Sequence, residues 1–173
     1  LTLRNAQITE YTDTTYALVV NTSRSLLGNE SVRLALCGAV DRDQVASVLP
    51  EGQTATTDLV PETASERTLD YRETAGHRTA LTLTEDARTL FRAGLAEAGE
   101  QKLPFTELLV PDTQTDRQAA GMIQGCWQNT LGASINVMPL AEDELWQRVY
   151  SGDYDLALLP LSDATAAGLL GDF

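Results

Sequence analysis

Apolar residues recur at helical spacing in residues 29–50, and this stretch predicts the central packing element of the chain. Positions spaced i, i+3, i+4, i+7 and i+8 form one stripe of a helix. The residues of this stripe are Val32, Ala35, Leu36, Ala39 and Val40. Asn29 is suited to cap the helix, because its side chain can accept a hydrogen bond from an unpaired amide of the first turn. Leu34 and Cys37 lie nearer the opposite side, so we expect the helix to be covered on two faces.

A second, shorter helix follows directly. Asp41 can end the first helix and cap the second, with Gln44 three residues later as in a capping box. The apolar stripe of this second helix is formed by Val45, Val48 and Leu49. Pro50 then closes it, because proline cannot continue a helix. We therefore predict two abutting helices that are buried on more than one side.

A third helix is predicted over residues 84–98. Thr84 is its expected cap, and Glu85 and Asp86 suit the positive end of the helix dipole. Gly99 can end the helix in the left-handed conformation. The predicted buried face consists of Ala87, Leu90, Phe91, Gly94, Leu95 and Ala98.

Two more helices are predicted near the end of the chain. The first covers residues 115–131 and stops at Gly132, with Trp127 bordering its stripe. That stripe consists of Ala119, Met122, Ile123, Cys126, Thr130 and Leu131. The second, Glu142–Tyr150, has three acidic residues in its first turn, where they suit the dipole and predict a solvated face rather than a paired-carboxylate site.

Runs rich in β-branched and aromatic residues predict strands between these helices. The predicted strands cover residues 1–9, 15–23, 104–111, 134–139 and 154–160, with a short edge strand within residues 68–75. The Tyr-Ala-Leu-Val-Val run that starts at Tyr16 is long enough to be buried on both faces, as is the strand at 154–160. Alternation of strands and helices predicts an α/β fold, a mixed sheet flanked by helices, in a single domain over residues 1–173.

Composition narrows the class of function. The chain has 173 residues, a net charge of −13 and 43% hydrophobic residues, which fit a globular domain. The acidic balance argues against a nucleic acid or an anionic membrane surface as partner, because both need clustered Lys and Arg. No apolar run approaches ~18 residues, so we expect no membrane insertion of this segment. The chain begins at Leu1 without a signal peptide, which suggests a mature product or an excised domain.

No catalytic motif is recognisable in the sequence. The single histidine, His77, lies in a loop without an evident orienting partner, and no nucleophile elbow or phosphate-binding loop is present. Asp153 and Asp155 are better explained by a turn than by a calcium loop. Cys37 and Cys126 are not spaced for a metal and are interpreted as two free buried thiols, with a bridge between neighbouring helices as the alternative. We therefore expect no enzyme activity, no metal and no cofactor.

The first helix pair also carries a resemblance to a known family. The pattern V-R-x-A-L-x-x-A-V-D-R-D resembles a segment of the extracellular solute-binding proteins of family 5, the peptide/nickel-type receptors of ABC importers. The matching residues are Val32, Arg33, Ala35, Leu36, Ala39, Val40, Asp41, Arg42 and Asp43. In that family a strand ending in an Asn-Thr pair precedes the segment, as Asn21 and Thr22 do here.

Later segments follow the same family order. Residues 90–99, L-F-x-A-G-L-A-E-A-G, resemble a family helix that precedes a strand. The family then has I-Q-x-x-L/W-x-x-x-G-I-x-V, an aromatic-bearing helix, G-D-Y/F-D and a hydrophobic strand. The matching residues are Ile123, Gln124, Trp127, Leu131, Gly132, Ile135, Val137, Trp146, Gly152, Asp153, Tyr154 and Asp155. The resemblance covers residues 15–170.

The resemblance implies that this chain is the second lobe of a type II periplasmic-binding-protein-like receptor, with hinge crossings near residues 1–15 and 161–173. Such a receptor would be extracytoplasmic, anchored as a lipoprotein through a segment outside this chain. It would capture a small solute, with peptide as the favoured class, by closing two lobes on it, and would deliver it to an ABC permease. The partners implied are the solute, the remaining lobe and the permease.

Ligands of open α/β sheets bind beyond the carboxyl ends of the strands. Two predicted loops follow a strand in this way, at residues 111–116 and 159–164. By resemblance, both face the ligand-binding cleft between the two lobes of family 5 receptors. The candidate ligand-binding residues are Asn21, Asp112, Thr113, Asp116, Ser162 and Asp163. By resemblance Asp163 matches an Asp that pairs with the amino terminus of a peptide ligand, although Leu161 stands in place of an aromatic residue. The alternative role for Asp163 is the N-cap of a helix over residues 164–170.

Two other classes of function stay open. The chain could be a stand-alone α/β interaction domain, which a natural reading frame with these ends would favour. It could also be an enzyme, which a deep pocket lined by His77 and carboxylates would favour. Neither alternative accounts for the order of the motifs.

Overall fold

The computed structural model describes residues 14–60, 65–66, 69–70 and 86–162. Within these residues the strands are β1 Thr14–Val20, β2 Ser65–Glu66, β3 Leu69–Asp70, β4 Glu107–Pro111, β5 Asn136–Leu140 and β6 Leu156–Ser162. The helices are α1 Glu30–Gly38, α2 Arg42–Ala46, α3 Ala87–Glu97, α4 Gln114–Leu131 and α5 Glu142–Tyr150. The predicted strand at residues 1–9 lies outside the described residues, as does His77.

The chain divides into two compact units. The smaller unit consists of Leu1–Thr15, Asp58–Arg78 and Pro160–Phe173, and the larger unit of Tyr16–Thr57 and Thr79–Leu159. The larger unit contains all five described helices together with β4, β5 and most of β1 and β6. In the smaller unit, β2 and β3 form an antiparallel pair, which places a short strand inside the predicted range 68–75. The Thr15 hydroxyl of that unit donates a hydrogen bond to the Leu59 carbonyl, at 2.8 Å.

The main sheet has the strand order β1-β6-β4-β5. Strand β4 pairs in parallel with β5, Leu108 facing Val137, and in parallel with β6, Leu108 facing Leu156. The Asn21 amide donates to the Asp155 carbonyl at 2.9 Å, so the end of β1 lies beside the start of β6 and these two strands run antiparallel. The predicted mixed α/β sheet is therefore confirmed.

The strands differ in burial according to their place in the sheet. Residues Leu108, Leu109 and Val110 of β4 and Leu156–Leu159 of β6 are buried, as predicted for the last strand. The prediction that β1 is buried on both faces is wrong, since all seven of its residues are only half-buried. The reason is position: β1 is the outer strand of the described sheet, with a paired neighbour on one side.

Helix α1 has the predicted cap and stripe. The Asn29 side chain accepts a hydrogen bond from the Val32 amide at 3.1 Å. The buried residues of its stripe are Val32, Ala35, Leu36 and Ala39, and the half-buried residues are Val40, Leu34 and Cys37. The helix is therefore covered on two faces, as predicted. Asp41 caps α2 as predicted, accepting from the Gln44 amide at 3.1 Å, but no residue of α2 is buried. The central packing element is therefore α1 alone.

Helix α3 begins later than predicted. Its cap is Asp86, whose side chain accepts from the Thr89 amide at 3.1 Å, so the prediction of Thr84 as the cap is wrong. Ala98 is the C-terminal cap and is exposed, because the helix ends before it can contribute to the buried face. Gly99 follows with φ 75°, the left-handed stop that was predicted.

The buried stripe of α4 is rotated from the predicted one. Its buried residues are Asp116, Ala119, Ala120, Ile123 and Trp127. Met122 is 39% exposed, and Cys126, Thr130 and Leu131 are half-buried. Trp127, predicted at the border, is fully buried, and its indole N–H donates to the Leu36 carbonyl of α1 at 2.8 Å. The buried stripe is turned towards α1, because the indole N–H has its hydrogen-bond partner there.

Helix α5 agrees with prediction. Helix α5 has the predicted bounds, its three first-turn acidic residues are exposed, and Gly152 ends its turn with φ 72°. The rings of Trp146 and Tyr150 on this helix stack with centroids 5.4 Å apart.

Both cysteines are free and half-buried. Burial raises the pKa of the Cys37 thiol, and the nearby Arg42 and Arg33 oppose that rise. Within the described part of the chain, no helix combines the length and apolar character needed to cross a bilayer.

We expect Trp127→Phe to lower the free energy of unfolding by about 2–4 kcal/mol, because it leaves a cavity and removes the donor to the Leu36 carbonyl. The matched control is Trp146→Phe, which keeps an aromatic ring against Tyr150 at a half-buried site and should cost less than about 1 kcal/mol. Urea denaturation followed by circular dichroism measures both values. Equal losses for the two variants would contradict a central role for the Trp127 indole.

We expect Gly94→Ala to destabilise the fold by about 1–3 kcal/mol. A Cβ at this position would lie 2.7 Å from both Asn29 Oδ1 and Val32 Cγ2, so α3 would have to move away from α1. Gly121→Ala on α4 is the control, because nothing lies within 4 Å of its added Cβ. Helix propensity then predicts a gain of about 0.5–1 kcal/mol. Denaturation midpoints that shift in the same direction for both variants would refute this account of the α1–α3 contact.

Candidate functional site

The carboxyl ends of the parallel strands β4 and β5 meet at one edge of the sheet. The Asp112 amide, directly after β4, donates to the Leu140 carbonyl at the end of β5, at 2.8 Å. Helix α4 begins immediately after this loop, with Thr113 as its N-cap. The first turn of α4 therefore lies where open α/β sheets bind their ligands.

An open groove lies on this first turn. It has a volume of about 550 Å³ and is lined by Asp112, Thr113, Gln114, Arg117 and Gln118. All five residues are exposed. Gln114 and Gln118 are one helical turn apart, so their amide groups share one side of the helix. The groove therefore offers side-chain donors and acceptors suited to a ligand with amide groups.

One carboxylate of the groove is already paired. Arg117 Nε donates to Asp112 Oδ1 at 2.7 Å, and Nη2 of the same guanidinium contacts the same oxygen. Both side chains are about half exposed, at 56% and 44%, so solvent screens this ion pair and its contribution to stability is small. Its effect is local: it holds the loop after β4 against the first turns of α4.

The second carboxylate, Asp116, is buried. It is only 4% exposed, and its amide donates to the Thr113 hydroxyl oxygen at 3.1 Å. The Thr113 hydroxyl in turn donates to Asp116 Oδ2 at 2.5 Å. Asp116 Oδ1 is buried and has no hydrogen-bond partner among the described residues. Burial and the negative charge of Asp116 both raise the pKa of Tyr16 on β1, which shows that this phenol lies within electrostatic reach of the carboxylate.

Asn21 lies at the other end of the sheet, beside the start of β6. Its side-chain amide donates to the carbonyls of Gly152, at 3.1 Å, and Tyr154, at 2.8 Å. Its oxygen accepts from the Ser23 amide and hydroxyl, at 3.1 and 2.6 Å. The structure therefore does not bring Asn21 together with Asp112, Thr113 and Asp116, and its hydrogen-bonding capacity is filled by the fold.

Asp153 and Asp155 form the predicted structural turn. Asp155 Oδ2 accepts from the Glu107 amide at the start of β4, at 3.0 Å. Arg24 binds Asp153 and Asp155, each at 3.3 Å. The described residues contain no cluster of three or more His, Cys, Asp or Glu side chains that could hold a metal ion.

The two remaining predicted site residues are Ser162 and Asp163. Ser162 is the last residue of this strand and is exposed. Asp163 lies outside the described residues, so both its predicted role in ligand binding and its alternative role as a helix cap remain predictions. The sequence analysis missed Gln114, Arg117, Gln118 and Tyr16. The i, i+4 spacing of the two glutamines was a usable signal, whereas nothing local to Tyr16 indicates that it approaches Asp116.

Comparison with known proteins places this geometry in a family. The family model described as bacterial extracellular solute-binding proteins, family 5 Middle, matches residues 3–167. No curated protein sequence matches the chain at a significant level.

Solved structures show the same fold. Listeria monocytogenes OppA bound to peptide is 23% identical with a TM-score of 0.79, covering 92% of this chain and 33% of that chain. Haemophilus influenzae OppA in complex with the peptide RPPGFSPFR is 18% identical with a TM-score of 0.70, covering 93% of this chain and 32% of that one. A peptide-binding protein of a peptide ABC transporter is 24% identical with a TM-score of 0.76, covering 90% of this chain and 70% of that one.

The chain spans about a third of the length of the two OppA structures. Identities this low show the fold alone, and that fold is the predicted one. The family model matches almost from one end of the chain to the other. The chain therefore belongs to the bacterial extracellular solute-binding proteins of family 5.

Proposed function

We propose that this chain is one lobe of an extracytoplasmic receptor that captures a small solute, with peptide as the favoured class, for an ABC importer. The observation that supports this function most directly is the groove on the first turn of α4, at the carboxyl ends of the parallel strands of a family 5 fold. Structurally similar proteins are described as bound to peptides, which favours a peptide over other solutes. Asp112, Thr113 and Asp116 are the proposed contacts in this lobe, and Ser162 and Asp163 remain predicted contacts.

The course of β1 and β6 supports a companion lobe. These strands are neighbours in the sheet and run antiparallel, so the start of β1 and the end of β6 lie at the same end of the strand pair. A chain that enters and leaves a lobe through adjacent strands can attach to a second lobe by two crossings. Closure of two lobes around a solute is then a hinge motion. The remaining proposed partners are an ABC permease and a lipoprotein anchor supplied by another segment of the receptor.

The isolated chain should bind peptides or sugars only weakly, with a dissociation constant well above ~1 µM, because half of the enclosing surface would be missing. Isothermal titration calorimetry of residues 1–173, next to the complete receptor that contains them, measures the difference. Sub-micromolar binding by the fragment alone would contradict the two-lobe mechanism and favour a stand-alone binding domain.

Filling the groove should weaken solute binding by the complete receptor. We expect Gln118→Trp to lower peptide affinity about tenfold or more, because the indole would occupy space next to Asp112 and Thr113. Gln128→Trp places the same side chain at an exposed position near the far end of α4 and should leave affinity within about twofold. Fluorescence-detected binding of a mixed tripeptide-to-pentapeptide library provides the comparison. Unchanged binding by Gln118→Trp would exclude this groove from the binding surface.

A further inference from the structure

Three exposed carboxylates lie at the same edge of the sheet as the groove. Glu142, Asp143 and Glu144 form the first turn of α5, which begins directly after β5. Leu140, the last residue of β5, accepts a hydrogen bond from the amide of Asp112 in the groove, at 2.8 Å. Glu142 follows Leu140 by only two residues, so its Cα lies at most ~8 Å from that of Leu140. That distance is about one Debye length, so the carboxylates act on a charged solute in the groove.

These three carboxylates have no counter-ion within the described part of the chain. The basic residue of α5, Arg148, binds Glu107 and Asp153 instead, at 3.2 and 3.5 Å. In the groove itself, Arg117 is bound to Asp112. No ion pair of the described residues involves a carboxylate in the first turn of α5. Their negative charge is therefore balanced only by the helix dipoles and by solvent ions.

The helix dipoles offset only part of this charge. Helices α4 and α5 both begin at the carboxyl ends of the strands, so the positive ends of their dipoles lie at this edge. Each end is equivalent to about half a positive charge, which gives about one positive charge against three carboxylates. The paired Asp112 and Arg117 add no net charge. An excess of about two negative charges therefore remains beside the groove, even without the buried Asp116.

Three basic side chains with identified partners lie away from this edge. Arg24 and Arg148 bind acidic partners at the amino ends of β4 and β6. Arg88 donates to the Thr130 carbonyl near the far end of α4, at 2.7 Å. Among the residues that line the groove, Arg117 alone is basic, and it is already paired. The groove therefore lies in a negative field that nearby arginines do not cancel.

We propose that the groove on the first turn of α4 takes solutes with a net positive charge, and that the carboxylates in the first turn of α5 supply this selectivity. This inference rests on the proposed function and adds to it the charge of the solute. Among peptides, those with lysine or arginine side chains are the class that fits. Because the carboxylates are exposed, they act through their field across solvent, and the selectivity weakens as salt is added.

The test compares three pentapeptides that differ only in side-chain charge, with the complete receptor and isothermal titration calorimetry. Identical free termini cancel any contribution from the ends of the peptide. We expect Ala-Lys-Ala-Lys-Ala to bind about fivefold or more tightly than Ala-Gln-Ala-Gln-Ala, and Ala-Glu-Ala-Glu-Ala to bind least tightly. In about 0.5 M sodium chloride the Debye length falls to about 4 Å, so the preference should shrink to within about twofold.

Glu142→Gln combined with Asp143→Asn should reduce the preference to about twofold or less at low salt, because it removes the two excess charges and leaves Glu144 for the helix dipole. Glu30→Gln combined with Glu100→Gln is the matched control. It also removes two exposed carboxylates, but one lies at the start of α1 and the other between α3 and the start of β4. The control should keep the full preference. Thermal unfolding verifies that both variants fold, as expected for isosteric changes at exposed positions.

Each outcome supports or overturns the proposal. A preference that both variants lose equally, or that the α5 variant keeps, overturns the role of these carboxylates. A preference that survives high salt overturns an action through the field. A wild-type receptor that binds all three peptides equally overturns charge selectivity and leaves the solute-binding function standing. A wild-type receptor that binds none of them overturns the inference and the peptide-receptor function together.

Discussion

The larger unit buries a whole indole between two helices and gives its single polar atom a partner. Trp127 is fully buried, and its N–H reaches the Leu36 carbonyl of α1 at 2.8 Å. Indole burial contributes a large apolar area, but an unpaired N–H in the core would offset part of that gain. This contact joins α4 to α1, and α4 also packs against α2, α3, β4 and β5. Together these contacts set the place of the groove on the first turn of α4.

The polar groups at the two ends of the sheet differ in how far they are paired with each other. At the amino ends of β4 and β6, polar groups are joined to each other: Asn21 is saturated, Arg24 binds Asp153 and Asp155, and Arg148 binds Glu107 at 3.2 Å. The Arg148–Glu107 pair is less exposed than the others, so solvent screens it less. At the carboxyl ends, the short loop after β4 leads into exposed side chains and a carboxyl group with an unused oxygen. Hydrogen bonds and ion pairs therefore join neighbouring segments at the amino ends of these strands, whereas the groove lies at the carboxyl ends of β4 and β5.

The sequence predicts best those features that depend on a few neighbouring residues. The caps at Asn29 and Asp41 and the stop at Gly99 are set within one turn, and all three are confirmed. The face of α4 was predicted wrongly because alanines next to the stripe make its direction ambiguous, so the placement of Trp127 is settled only by its partner on α1. The burial of β1 was predicted wrongly for a similar reason: a strand's composition does not show whether it lies inside the sheet or at its edge. Candidate contacts at 112, 113 and 116 were predicted from a loop position, whereas the paired state of Asp112 and the buried state of Asp116 arise from the folded arrangement.

The burial of Asp116 lowers the stability of the fold by only a small part of the total. One unsatisfied buried acceptor costs about 1–3 kcal/mol, a small part of the roughly 5–15 kcal/mol that stabilises a typical domain. Capping of α4 needs only the Thr113 hydroxyl, which already accepts from the Asp116 amide. A serine or asparagine at 116 would satisfy the helix at lower cost, so nothing in the architecture of α4 requires a buried charge there.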